Sequence, residues 1–481
     1  MASNGDGNRK RWSGLRTSVG NMFKSPRTRG HSGAGPVEDT PLPHDGNNAE
    51  KPDAMPMIHE AIRANDLIGV GRILQAFPGV VHETDDQGMT PLALAFVHGN
   101  LGMVKGIHTA GASPYPSKNN DESLAALATI AQSAPLIRWL STLHDRSLLN
   151  ARDLAGSTPL HSAVLHGNLE VTRALLECGA DPNLHAHRAT NPPTDPPLGT
   201  GTPLFFAVDK SLNLSQPPST RLATVRLLLQ HGASLTIPQE LDGTFPLHEA
   251  VLGGGAPAVQ GGGDPDIITA LLDHKDAATG QPATDIEIGT VTPRDPDMRG
   301  TTPLMYAAGS CSKFIVNLLL GRGADPARVN ALGETALHWA GVNEARSTAG
   351  VPEAEGIIRL LVEGGRGCLG KVVGVDVRNK LGGTALHGAA YKGLMPNVRV
   401  LLEFGADTRI VAEDVHFENL VGVGGTPEEL ARSQGHFEVA EFIREWERSH
   451  PKGEGGGRDG ERKGGEGRGR EGISGQEDGR A

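Results

Sequence analysis

The segment Gly365-Arg366-Gly367-Cys368-Leu369-Gly370-Lys371 has the spacing GxxxxGK, with GxGxxG inside it, by which backbone amides and a lysine can cradle phosphates. That chemistry needs a strand before the loop, a helix after it, and a Ser or Thr behind the lysine to reach Mg²⁺. Here helical spacing from Ile357 to Val362 precedes the loop, an extended 372–377 follows, and Val372 stands where the hydroxyl is required. The segment reads as a hairpin insertion, not a nucleotide site. His59-Glu60 and His248-Glu249 open like the zinc-binding HExxH helix, but both lack the second histidine. His161, His248, His338 and His387 recur at one position of a repeated pattern, as structural groups do. The cysteines Cys178, Cys311 and Cys368 are isolated, so neither a CxxC pair nor a disulfide scaffold exists. No G-x-S-x-G elbow occurs. The expected chemistry is therefore binding: no catalytic, cofactor-binding or metal-binding residue is assigned, and no enzymatic activity is expected. The sequon Asn213-Leu214-Ser215 should stay unmodified in the reducing compartment that the cysteine usage implies.

The elements that position these residues follow from composition and repetition. The chain has 481 residues with 65 Gly, 33 Pro and a net charge of −11, which exceeds one compact domain and fits an elongated array. Residues 57–448 carry 30 basic against 43 acidic side chains. That balance argues against phosphate-backbone binding and for encounter with a basic partner surface. No run is long and apolar enough for a transmembrane segment, and the N-terminus lacks a signal-peptide core.

The best repeat unit begins at Gly156 and reads Thr158-Pro159-Leu160-His161, Ala163, Gly167, Leu175-Leu176 and Gly179-Ala180-Asp181. Thr158 can cap a helix whose first position suits Pro159. Leu160 and Ala163 share one helical face, Gly167 permits a tight turn, and Gly179 ends the second helix where positive φ is favoured. The same skeleton recurs at Thr90-Pro91-Leu92, Thr202-Pro203-Leu204, Phe245-Pro246-Leu247-His248, Thr302-Pro303-Leu304, Thr335-Ala336-Leu337-His338 and Thr384-Ala385-Leu386-His387. The last of these leads to Leu401-Leu402 and Gly405-Ala406-Asp407.

This pattern resembles the ankyrin repeat, with its T-P-L-H-x-A signature and roughly 33-residue period. The resemblance covers roughly 57–448 and implies an all-α solenoid of about ten helix-turn-helix units joined by hairpin loops. Residues 57–86 read as an opening unit without its hairpin, 121–152 as a worn unit, and the stretch from Thr426 as a closing unit with a charged outer face. Spacing departs from the family: Thr302 to Thr335 is 33 residues, but Thr158 to Thr202 is 44 and Phe245 to Thr302 is 57. The excess lies within units at 209–220, 253–266 and 342–353, and in hairpin loops at 184–199, 275–297 and 364–376. Surface insertions cost little folding free energy, and three long loops on one edge point to a role in binding.

The flanks differ in composition. Residues 1–56 form a basic leader expected to be disordered, with seven cations and no acid between Gly7 and Val37. Within it Trp12, Leu15, Val19, Met22 and Phe23 follow helical spacing, a pattern that fits an anionic membrane surface or a helix-accepting groove, although Gly14 and Gly20 weaken the helix. Arg27-Thr28-Arg29-Gly30-His31-Ser32 matches a basophilic-kinase site, and phosphate there would cancel part of the charge. The tail 449–481 holds 12 Gly and 14 charged residues and should be disordered. Its Gly467-Arg468-Gly469-Arg470 is similar to RNA-binding RGG segments, but the equal acids and missing aromatics argue against nucleic acid.

The resemblance implies a protein-binding adaptor or scaffold whose groove is lined by hairpin tips and first helices. Thr158, Pro159, Leu160, His161, Leu175, Leu176, Gly179, Thr302, Pro303, Leu304, Thr384, Leu386, His387 and Gly405 would hold the stack. Ser162, Phe206, Met305, Tyr306, Trp339 and Gly388, at or after the TPLH-like motif, are the expected partner contacts. Two alternatives stand beside this. One is a membrane-recruited signalling scaffold, since the opening unit is loosely similar to the ankyrin subunit of fungal TOR complex 2. The other is a nuclear regulator of transcription factors, with Arg9, Lys10 and Arg11 as a short basic run. A cytoplasmic location is expected, with nuclear or peripheral membrane placement under the alternatives.

Overall fold

A computed structural model describes residues 54–114, 123–143, 145–153, 156–186, 201–209, 216–240, 243–253, 263–275, 279–291, 296–310, 312–342, 353–363, 373–413 and 424–450. The leader residues Trp12, Leu15, Val19 and Phe23, the tail beyond residue 450, and the loop 364–372 lie outside them.

The described chain consists of helices in ten successive pairs. They are α1 (Ala54–Arg63) with α2 (Leu67–Ala76), α3 (Pro91–Val97) with α4 (Leu101–Thr109), and α5 (Leu124–Ile130) with α6 (Ala134–Ser141). A short α7 (Ser147–Asn150) precedes α8 (Pro159–Leu165) with α9 (Leu169–Glu177), then α10 (Pro203–Val208) with α11 (Pro218–Gln230) and α12 (Pro246–Leu252) with α13 (Pro265–Asp273). The array continues through α14 (Pro303–Gly309) with α15 (Lys313–Gly321), α16 (Ala336–Gly341) with α17 (Glu353–Glu363), and α18 (Ala385–Tyr391) with α19 (Met395–Glu403). It closes with α20 (Pro427–Ser433) and α21 (Phe437–Ser449). The fold is an all-α repeat solenoid. Within each unit the two helices pack on each other, and each first helix packs on the first helix of the next unit. The long insertions fall between helices, with 209–217 between α10 and α11 and 342–352 between α16 and α17.

Local sequence explains the helix starts. Thr90 takes an extended backbone, its Oγ1 accepts the amide of Ala93, and Pro91 occupies the first turn, where no amide hydrogen is missed. The second helices are capped by Asn100, Asn168 and Ser312, whose side chains accept the amides of Met103, Val171 and Ile315. Gly167 turns the chain between α8 and α9 at φ 67°. The pocket around it is tight: a Cβ there would lie 2.7 Å from Cδ of Gln216. One face of every helix is apolar and buried, and Leu160, Leu175, Leu228, Leu319, Leu386 and Leu401 are among its sealed residues. Burying one such leucine contributes about 2 kcal/mol, and the stack sums these terms unit by unit.

Units are also joined along their hairpins. Val291 donates its amide to Gly243 O, Ala331 to Arg299 O, Lys380 to Leu332 O, and Glu413 to Leu381 O, at 2.7 to 2.9 Å. Asn330 and Asn379 close their turns by accepting two backbone amides each on Oδ1. The opening unit departs from the sequence reading here. Asp85 Oδ1 accepts the amides of Gln87 and Met89 in the same manner, so a closed turn does follow the first helix pair. A carboxylate does the work of the asparagine amide oxygen, which hides the turn from a motif search. Among the described residues the extended 373–377 is not a strand; the β-type contacts are isolated bridges such as Lys275 with Pro282.

Candidate partner-recognition surface

The recurrent histidines fix the start of the first helix in the units that carry them. The backbone amide of Thr158 donates to Nδ1 of His161 at 3.2 Å, and the Thr158 hydroxyl lies 2.8 Å from the same nitrogen. Nδ1 is thus an acceptor, so the ring proton sits on Nε2, which donates to Gly201 O at 3.0 Å. Gly201 immediately precedes the capping Thr202 of the next unit. The arrangement repeats at His248 to Thr301 O, His338 to Gly383 O, and His387 to Ile410 O, at 3.0 to 3.2 Å. Each ring therefore ties its own helix cap to the following unit. Burial pushes the pKa of all four down to about 4. With both nitrogens engaged and the ring neutral, these residues have no free base or metal-ligating atom. Among the described residues no cluster of His, Cys, Asp and Glu has the geometry to hold a metal ion.

His59 joins this set. Its Nε2 pairs with Met89 O at 3.1 Å, the residue before the Thr90 cap. The sequence signal was present in the shared offset, but Met57-Ile58 in place of a Pro-Leu pair concealed it.

The framework residues Thr158, Pro159, Leu160, Leu175, Leu176, Thr302, Pro303, Leu304, Thr384 and Leu386 are all buried, while Gly179 and Gly405 supply positive φ at helix ends. The expected contact residues divide. Met305 is 1% exposed and occupies the histidine position itself: the Thr302 amide points at its Sδ, 3.5 Å away. It is a framework residue, one place too early in the repeat to face outward. Phe206 is 8% exposed, with its ring edge-on to His161 at 4.9 Å and 73°. Gly388 is buried where α18 packs on its neighbours. Ser162, Tyr306 and Trp339 remain part-exposed on the first helices of their pairs.

Tyr306 and Trp339 form a row. Tyr306 sits edge-on to the buried His248 at 5.4 Å and to Trp339 at 5.4 Å, so contiguous rings link three consecutive units and two of them, Tyr306 and Trp339, reach the surface. The Trp339 indole lies against the α-carbon of Gly309, where a Cβ would come within 2.8 Å of Cε3. Its Nε1 donates to Oε2 of Glu334 at 3.1 Å, and Asn330 Nδ2 donates to the same oxygen at 3.1 Å. Glu334 is 7% exposed, a carboxylate set behind the indole. Sequence reading passed over Glu334 and Gly309, and took Glu249 only as part of an incomplete HExxH match. Glu249 follows His248 at the register of Tyr306 and Trp339, and that register was its available signal.

A family match agrees with this architecture. The model for ankyrin repeats in three copies matches residues 108–186 and 256–351. The mouse B-cell lymphoma 3 protein homolog is 32% identical over 209 residues, covering 42% of this chain and 42% of that protein. The human transient receptor potential cation channel subfamily A member 1 is 33% identical over 108 residues, covering 22% of this chain and 10% of the channel. The chain thus spans less than half the length of these curated relatives. Among solved structures, the ankyrin repeat domain of Bcl-3, described as a member of the IkappaB protein family, aligns at 25% identity and a TM-score of 0.38. That alignment covers 60% of this chain and 99% of the domain.

Proposed function

Because the chain is an ankyrin-repeat protein, we propose that it is a non-enzymatic adaptor holding a partner protein against the first helices of its units. The observation that carries this reading is the ring row His248, Tyr306 and Trp339. In it Tyr306 and Trp339 carry part-exposed aromatic surface across a unit boundary, backed by the buried His248 ring. The recurrent histidines support the same reading from the other side, since their nitrogens serve the framework and leave the surface to neighbouring positions. Affinity purification of the full chain at physiological salt, beside a Tyr306→Ala/Trp339→Ala chain, tests it. A stoichiometric partner held by the first and lost by the second supports the adaptor reading. A partner held equally by both places recognition elsewhere.

A second reading is a nuclear regulator binding transcription factors. It is favoured by the likeness to the B-cell lymphoma 3 protein homolog together with the basic run Arg9, Lys10 and Arg11. Nuclear accumulation abolished by replacing those three residues is the expected result; accumulation unchanged by the replacement counts against it. No described helix is long and apolar enough to cross a membrane.

A further inference from the structure

The row formed by Tyr306 and Trp339 has the chemistry of a cation site, and this deepens the adaptor reading on which it rests. An indole that donates its N–H to a carboxylate gains electron density, which strengthens its attraction for a cation near the ring face. Trp339 does so through the 3.1 Å bond from Nε1 to Glu334. The indole is fixed from two further directions, by the edge-on Tyr306 ring and by the bare α-carbon of Gly309. A pre-set ring loses little conformational entropy when a ligand arrives. Carboxylates stand at both ends of the row, Glu334 behind Trp339 and Glu249 at the equivalent register one unit before Tyr306. The surrounding repeats are acidic, with 43 acids against 30 bases over 57–448. A positively charged partner would be steered to this face.

We propose that a lysine or arginine side chain from a basic segment of the partner seats against Tyr306 and Trp339, with Glu334 as its counter-charge. The test uses an acetylated and amidated nona-arginine peptide, titrated into the full chain at physiological ionic strength and followed by calorimetry. Trp339→Leu and Glu334→Gln should each weaken binding about tenfold. Gly309→Ala removes neither ring nor charge but displaces the indole, and should weaken binding several-fold. Glu438→Gln removes an exposed acid from the closing helix α21 and should change affinity less than about twofold. Cooperative thermal unfolding of each variant confirms the fold. Should Glu334→Gln fail to fold, Gly309→Ala and Trp339→Leu still decide the matter. Equal weakening by Glu334→Gln and Glu438→Gln means diffuse attraction and overturns the site, as does a peptide that fails to bind. Either failure leaves the adaptor reading intact if the cellular partner is still lost from the Tyr306→Ala/Trp339→Ala chain, and the rings then hold that partner by contacts other than a seated cation.

Discussion

Units opening at Thr158, Thr335 and Thr384 keep the histidine, whereas those opening at Thr90, Thr202 and Thr302 carry Ala93, Phe205 and Met305 in its place. The helix pairs are the same in both groups, so the histidine is not required for the unit to form. Its contribution is a polar link between successive caps. In the unit of Thr202 the loss is visible: Phe205 cannot reach back, and the buried Thr202 Oγ1 has no hydrogen-bond partner. At Thr302 a sulfur stands in as a weak acceptor at 3.5 Å, and the Thr302 hydroxyl turns to the Met305 amide instead. Apolar packing specifies the solenoid, then, and the histidine ladder adds order and pH sensitivity to particular units.

The largest effect should come from the packing that both groups share. Leu175 is sealed in the core, and Leu175→Asp would bury an unpaired carboxylate at a cost of about 4 kcal/mol or more. Thermal unfolding should lose its cooperative transition or shift far downward; an unchanged curve would mean that the repeat register is wrong.

Acid should separate the two groups next. The unfolded histidines titrate near 6.5 and the folded ones near 4. Between those values the unfolded chain binds more protons, so this stabilisation is complete above pH 6.5 and is lost as pH falls toward 4. The loss is on the order of a few kcal/mol for each ring. His338→Met, copying the unit of Met305, should flatten the dependence of unfolding temperature on pH over that interval. A slope identical to that of the unmodified chain would show that His338 does not titrate on unfolding.

Smaller effects sharpen the comparison. Gln216 donates Nε2 to Val164 O and Leu165 O, satisfying the end of α8 from the next unit. Gln216→Ala should cost about 1 kcal/mol in chemical denaturation, and no change would mean that water replaces it. Phe205→His offers the orphaned Thr202 hydroxyl a partner and should be neutral or stabilising by up to about 1 kcal/mol. A loss exceeding that would show the aromatic packing at Phe205 to be worth more than the missing link.

Much of the fold was legible because its signals are local. Thr-Pro caps, paired leucines and turn glycines act within one helix pair, and each unit repeats them, so helices and insertions fell near where the spacing put them. The site was less legible. Met305 was offset by one because the Thr-Pro-Leu frame continued while its histidine had been replaced. Asp85 closes a turn with a different side chain from Asn330. Gln216 and Asn397 cap carbonyls of the preceding unit from beyond insertions of irregular length, a distance no local motif spans. Glu334 acquires meaning only through the indole five residues on, once both lie on one face.

The central claim is that contact residues and framework residues are separate on this stack. It is tested most directly by measuring partner affinity and unfolding in one protein, the Tyr306→Ala/Trp339→Ala chain. We predict at least a tenfold loss of partner binding with a cooperative unfolding transition retained. Undiminished binding, or loss of binding only together with loss of the fold, would contradict it.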